Sequence, residues 1–326
     1  MSRPEVSVLL PVYNCEKYVS AAIESILNQS FTNFELIIIN DASSDHSLRI
    51  IERYNDPRIQ VINFAKRKGL VQSLNYALDE AGGGYIARQD ADDFSLPTRF
   101  ESQLRYFHDH PQTALLGTSV RCIDEHGKAV EERIALPTPP RYFSSSPFVH
   151  GSVMVKKSVI AEVGGYNELF SFVEDYELWL RIASKHRVNN LTDVLYLWRL
   201  HPDSITVTKA VEQYLLLLLV QKMAKHEISA EIVNEVRAEG ICKLYNHLTK
   251  EEKVAFHKLR SRSYIRQKNL DLARKEYVTV SKLKRTDCRN YLLLLASLFG
   301  CNPTLHIYRF YNRLTKNPYF RRRYLS

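Results

Sequence analysis

Residues 82–96 read GGGYIARQDADDFSL, and the fold turns on how this stretch is read. Three glycines end a helical pattern, Tyr85-Ile-Ala87 is a short apolar run, and Asp90, Asp92 and Asp93 follow at once. Like charges this close repel, and each carboxylate prefers water to an interior. A strand that delivers three of them to one place needs a positive partner.

Toward the N-terminus, strand and helix signals alternate. Val6–Leu10, Phe34–Ile39 and Ile59–Ile62 are apolar runs of the kind found in strands buried on both faces. Between them, Val19, Ile23, Ile26 and Leu27 recur at helical spacing, as do Leu70, Leu74, Ala77, Leu78 and Ala81. Asp41 to Tyr54 reads as a helix opened by Asp and Ser residues. The alternation predicts an α/β fold with a Rossmann-like, mostly parallel central sheet and right-handed crossovers. Ligands of such sheets bind at the carboxyl ends of the strands. Pro11-Val-Tyr13-Asn14, Asn40-Asp41 and Asp90 to Asp93 each follow a strand, so they should share one rim.

Beyond Pro97 the pattern changes. Leu115–Ile123 and Arg133–Leu136 read as strands around a turn at Glu125-His-Gly127, with further strands at Val149–Val155 and Val194–Leu200. Glu174–Ser184 is an amphipathic helix. From residue 210 the chain is helix-prone, and charge separates with it. Residues 210–326 hold 23 Lys and Arg against 10 Asp and Glu, a balance of +13, which leaves −4 on residues 1–209 of the total of +9. We therefore expect a domain over 1–209, with a nucleotide-binding half to about residue 97 and an acceptor-side half over 98–209, then a basic helical region over 210–326. Five scattered cysteines without a CxxC pair argue against a disulfide framework or zinc site. With no signal-peptide pattern in MSRPEVSVLLPVYN, this predicts a cytoplasmic protein.

Two readings compete for the carboxylate cluster once a solvated turn is set aside for its place at a buried strand end. A calcium loop would put Asp90, Asp92 and Glu101 at positions 1, 3 and 12, but Phe94 and Ser95 fall at positions 5 and 6, and Pro97 interrupts it. The other is a divalent ion, Mn²⁺ or Mg²⁺, held by one or two carboxylates and completed by substrate phosphate and water.

VSVLLPVYN, FELIIINDASSDHS, GGGYIARQDADDFSLPTRFE, EVGGYNE and VEDYELWLR, in this order, resemble the family 2 inverting glycosyltransferases of GT-A fold, over residues 5–205. The resemblance implies a nucleotide-sugar donor, a UDP-sugar foremost, held by Pro11, Tyr13, Asn14, Asp41 and Asp90, with Tyr13 stacking on the base and Asp41 hydrogen-bonding it. It implies a metal at Asp92 and Asp90, with Asp93 as helper and His201 completing the shell, and Asp175 as general base with Glu174 secondary. His150 is a further candidate beside the rim. Asp41 has a bland reading too, as a helix N-cap. No QxxRW motif follows the Glu-Asp pair, since Trp198-Arg199 lacks the Gln. Transfer of a single sugar, in surface-glycan or glycolipid assembly, is expected. The rival readings are a catalytically silent carbohydrate- or partner-binding module and, less favoured, a nucleotidyltransferase.

The acceptor is expected to be a carbohydrate or a lipid-linked carrier. Tyr214–Val220 and Tyr291–Ala296 are apolar but far short of the ~20 residues a membrane span needs. Together with Tyr319-Phe-Arg-Arg-Arg-Tyr324 they predict peripheral contact with an anionic membrane surface; the competing readings are a packed helical domain with a solvated basic face and, unfavoured, affinity for nucleic acid.

Overall fold

The computed structural model describes residues 3–201, 209–267, 269–284 and 288–297. The chain divides into two compact units between residues 204 and 205.

The first unit is built on a nine-stranded sheet in the order β3-β2-β1-β4-β8-β6-β9-β5, with β7 paired to β6. The strands are β1 (Val6–Val12), β2 (Phe34–Asn40), β3 (Ile59–Asn63), β4 (Tyr85–Arg88), β5 (Phe94–Ser95), β6 (Thr113–Ile123), β7 (Ala129–Arg133), β8 (Met154–Lys156) and β9 (Arg187–Arg199). β1 to β4 pair in parallel, β8 runs against β4 and β6, and β9 is parallel to β6. The sheet is thus mostly parallel, with β5, β7 and β8 reversed. Side chains of a strand alternate between faces, and Val8, Leu9 and Leu10 are all fully buried, so both faces of β1 are covered. Helix α1 (Val19–Leu27) packs Val19, Ala22, Ile23 and Ile26 into the core shared by β1 and β2. Helices α2 (Ser47–Ile51), α3 (Leu70–Glu80), α4 (Arg99–Asp109), α5 (Lys157–Glu162) and α6 (Glu174–Lys185) complete the unit.

Apart from the short elements β5 and α5, which the sequence reading does not include, the expected elements depart from the structure in five places. α2 spans Ser47–Ile51 rather than Asp41–Tyr54, because residues 43–46 bond to the loop after β1. α4 was missed. Its RFESQLRYFHD reads as polar, yet Arg99 and Gln103 are buried and bond backbone carbonyls, beside Phe100, Leu104 and Phe107. β7 covers 129–133, not 133–136; Ile134 and Leu136 stay 62% and 57% exposed as the chain heads into Pro137. Val149–Val155 is a single 3₁₀ turn at His150–Ser152 before β8. β9 starts at Arg187, earlier than its apolar part, because Asn189 and Asn190 are buried with their amides bonded to backbone carbonyls at 136 and 137.

The second unit is helical. Helices cover Ala210–Ala224, Ala230–Glu239, Lys250–Arg266, Leu270–Leu283 and Cys288–Ser297, with a 3₁₀ stretch at Ile241–His247. Thr249 and Glu252 form a capping box at the start of Lys250–Arg266. The leucine run points inward: Leu215, Leu216, Leu218, Leu219 and Val220 are buried. Lys222 pairs with Glu252 at 3.0 Å. This apolar segment is spent on the unit's own interior, as expected for a helix apolar all round. Among the described residues no helix is long and apolar enough to cross a membrane. The Tyr319–Tyr324 segment lies outside the described residues.

Candidate active site

The carboxyl ends of β1, β2 and β4 form one rim, as parallel pairing requires: Val12 aligns with Asn40, and Leu9 with Arg88. Pro11 is half-buried within β1, and Tyr13 beyond it is 41% exposed, with the Arg67 guanidinium 3.8 Å from its ring centroid. Asn14 sits in the left-handed region at φ 49°, which Asn tolerates better than most residues. Five backbone N–H groups then lock this loop and the next together. Asn14 N–H donates to Ser43 Oγ at 3.0 Å, Cys15 N–H to Ser47 Oγ at 2.8 Å, and Glu16 N–H to Asp45 Oδ2 at 2.9 Å. In return, Ser44 N–H donates to Asn14 Oδ1 at 2.8 Å and His46 N–H to Glu16 Oε2 at 2.9 Å.

Asp41 is buried at the end of β2. Its two oxygens accept the N–H groups of Lys68 and Gly69 at 2.6 and 2.8 Å, at the doorstep of α3. It caps no helix at its own position, since α2 begins at Ser47. Asp41 therefore fastens the Arg67-Lys68 loop against Tyr13.

The positive partner that the carboxylates need is supplied in part by the chain itself. Arg88, 3% exposed, donates from Nη2 to Asp90 Oδ1 at 2.7 Å. Asp93, 2% exposed, accepts the Arg199 N–H at 2.7 Å, and Arg199 Nε donates to the Asp92 carbonyl at 2.8 Å. Burial raises the Asp90 pKa, with Arg88 opposing; burial and then the Asp92 charge raise that of Asp93 well above the carboxylate range. Asp92 Oδ2 lies 2.8 Å from His201 Nε2. Behind them Gly151 is packed so closely that a Cβ would meet Tyr196 Oη at 1.9 Å and Asp90 Oδ2 at 2.7 Å.

Among the described residues no group of three or more His, Cys, Asp and Glu side chains could hold a metal ion alone. The geometry does not fit a closed protein cage. Asp92 and His201 do fit an ion that takes one or two protein ligands and fills its other positions with phosphate and water. Asp93 is instead drawn into the hydrogen bond with Arg199.

Beyond the carboxylate cluster α6 opens with Glu174 and Asp175. Glu174 is 5% exposed and its Oε2 has no hydrogen-bond partner. Burial, then the Asp175 charge, pushes its pKa up to about 8. Asp175 is half-buried. Burial raises its pKa to about 6 although the Tyr176 N–H favours the charged form, and Asp90 is near enough to add to the rise. Burial thus outweighs the helix start, which favours ionised carboxylates. At neutral pH the arrangement keeps one carboxyl neutral and its neighbour mostly ionised, a division that suits a proton acceptor. Apolar shielding comes from Tyr176, Leu178 and Trp179, all buried. His150 lies 3.0 Å from the Tyr166 hydroxyl and edge-on to Trp179, and burial, then Arg88, pushes its pKa well below the usual value. It is a neutral link in the wall.

The structure so brings Tyr13, Asn14 and Asp41 together on one side, Asp90, Asp92 and His201 in the middle, and Glu174 and Asp175 near Asp90. Arg88, Arg67 and Tyr166 were not picked out from sequence. For Arg88 there was a signal, a charged residue at the end of an apolar strand next to three carboxylates; for Arg67 there was none.

Residues 7–165 match the family described as Glycosyl transferase family 2. The chain is 39% identical over 210 residues to the Bacillus subtilis protein EpsE, covering 62% of this chain and 76% of that one. It is 34% identical over 207 residues to the amylovoran biosynthesis glycosyltransferase AmsE of Erwinia amylovora, covering 61% and 77%. It is 35% identical over 208 residues to the O-antigen biosynthesis glycosyltransferase WbnJ of Escherichia coli, covering 61% and 81%. Among solved structures, S. aureus TarS 1–349 in complex with UDP-GlcNAc aligns with a TM-score of 0.56 at 17% identity, covering 95% of this chain and 92% of that one. The mannosyltransferase PcManGT from Pyrobaculum calidifontis, in complex with GDP-Man and Mn²⁺, aligns at 0.53 and 15% identity, covering 98% and 83%. At these identities the likeness is one of fold.

Proposed function

The chain belongs to the family 2 glycosyltransferases, and on that footing we propose that it moves a single sugar from a UDP-sugar to an acceptor hydroxyl, with inversion, in the assembly of a surface polysaccharide or glycolipid. The supporting observation is the placing of a half-buried carboxylate, Asp175, near the donor carboxylate Asp90 and at the start of a helix that shields it. The polysaccharide assignments of AmsE and WbnJ and the UDP-GlcNAc bound by TarS favour the same reading.

In this mechanism the Tyr13 ring stacks on the base and Asp41 receives a hydrogen bond from it, while the locked loops at 14–16 and 43–47 hold the platform still. A divalent ion at Asp92 and His201 would offset charge developing on the departing nucleotide. Asp90, fixed by Arg88, keeps its orientation beside the ribose and diphosphate. Asp175 Oδ takes the proton of the acceptor hydroxyl as that oxygen attacks the anomeric carbon from the face opposite the nucleotide. Glu174, neutral near pH 7, adds no second negative charge at the position where the hydroxyl loses its proton.

A panel of nucleotide sugars, each with and without Mn²⁺, tests the proposal by thermal stabilisation and by release of the nucleotide. UDP-sugars should stabilise and turn over only with the metal. Full turnover in excess chelator, or no response to any UDP compound, would refute it.

A further inference from the structure

The motif Glu162-Val-Gly-Gly-Tyr-Asn-Glu168 has no duty in the site as described. Its two glycines are left-handed, at φ +83° for Gly164 and +71° for Gly165, a region that residues with a Cβ rarely enter. Gly165 is also tightly faced, since a Cβ there would stand 3.0 Å from Asn75 Oδ1. What faces it is a two-pronged grip. From the middle of α3, Asn75 donates from Nδ2 to the Tyr166 carbonyl at 2.9 Å and accepts the Tyr166 N–H on Oδ1 at 2.9 Å. One side chain thus satisfies both backbone groups of a residue ninety-one positions away, as a neighbouring strand would.

The same loop is held from the opposite direction. Arg181 on α6 donates from Nη2 to the Gly165 carbonyl at 2.8 Å and from Nη1 to the Val163 carbonyl. Its guanidinium is fixed by two bonds to Glu177, at 2.8 and 2.7 Å, one turn back toward Asp175. Tyr166, 5% exposed, then extends its hydroxyl to His150 at the wall of the site. α3 itself starts at Leu70, directly after the Lys68 and Gly69 amides that Asp41 holds. A continuous set of hydrogen-bonded and helical links therefore runs from Asp41 through α3 and the Gly165–Tyr166 peptide to α6, whose first turn holds Asp175.

We infer that Asn75 and Arg181 form a clasp on the Gly165–Tyr166 segment that sets the position of Asp175 against the donor rim, which makes Asn75 a positioning residue for transfer. This rests on the reading of Asp175 as the proton acceptor. Asn75 touches neither donor nor acceptor in that reading; it acts through Tyr166. Displacing a reacting group by about 1 Å is enough to cost about 100-fold in rate, so the clasp should appear in turnover rather than in donor affinity.

Asn75→Ala is the test, read by kinetics and by amide hydrogen exchange. We expect kcat to fall about 10- to 100-fold, UDP affinity to stay within about twofold (less than the tenfold that 1.4 kcal/mol represents), and exchange to quicken over residues 164–176 but not in β1 and β2. Asn75→Asp keeps the volume and the acceptor for Tyr166 N–H but sets an oxygen against the Tyr166 carbonyl, so it should show the same signature at least as strongly; Arg181→Lys, on the other arm of the clasp, takes the measurement if the Asn75 variants do not fold. Unchanged exchange over 164–176 overturns the clasp whatever the enzyme's activity. So does unchanged kcat, or donor affinity lost in step with turnover. Wild-type protein that binds no UDP and transfers no sugar would sink the proposed function instead, leaving the exchange experiment to judge the clasp alone.

Discussion

Replacing Glu174 with Gln tests whether the site really keeps a neutral carboxyl beside its ionised one. The unfolded chain releases this proton near pH 4.5, while the fold keeps it to about 8. Between those values the native state binds more protons than the unfolded one, so stability falls as pH rises. Each pH unit in that window removes about 1.4 kcal/mol, and allowing for the charge shared with Asp175 the window is worth on the order of 4 kcal/mol. Gln has nearly the same shape, is neutral throughout, and keeps an acceptor for the Phe172 N–H that the carboxyl now receives. Wild type and Glu174→Gln should therefore match near pH 5 and diverge above it, with the variant more stable by on the order of 4 kcal/mol at pH 9. Urea unfolding followed by tryptophan fluorescence measures this cleanly, because both tryptophans, Trp179 and Trp198, belong to the first unit. Two curves that stay parallel from pH 5 to pH 9 would show that Glu174 ionises normally in the fold, and the division of labour with Asp175 would fail with it.

The kinetic counterpart concerns Asp175. Asp175→Asn should cut transfer by about 10²- to 10⁴-fold while UDP-sugar affinity holds; wild-type rate should climb with pH through about 6, where this carboxyl ionises, and a rate flat across that range would remove it from the role. Asp92→Asn should abolish Mn²⁺-dependent UDP binding, measured by titration calorimetry, while leaving the fold intact; equal metal response in both proteins would move the ion elsewhere.

Much of the rim after β1, β2 and β4 was legible because it obeys one rule: parallel strands deliver their following residues to one edge. That rule found Tyr13, Asn14, Asp41 and the carboxylates from apolar runs alone. It could not find what those residues do locally. Asp41 looked like the start of a helix, but its oxygens hold Lys68 and Gly69, an arrangement set by a loop twenty-seven residues away. α4 was hidden because Arg99 and Gln103 are polar by type and buried by circumstance, and periodicity counts type. Asn75 was invisible for the same reason. A single Asn on a helix carries no pattern, and its meaning comes from Tyr166, which only the folded chain brings within reach. In the C-terminal unit the leucine run suggested an apolar face for a membrane, and the structure turns it inward because neighbouring helices offer a nearer place to bury it.

The mutual bonds between residues 14–16 and 43–47 also bear on the thermodynamics of donor capture. Each of these bonds joins a backbone amide to a side-chain oxygen of the facing loop, so the pocket's shape is established when the chain folds. Ordering a loop residue costs about 1–2 kcal/mol of entropy, and here that cost falls on folding instead of on association. Nucleotide binding should then carry little conformational entropy loss in these loops, and its heat-capacity change should reflect surface burial rather than coupled ordering.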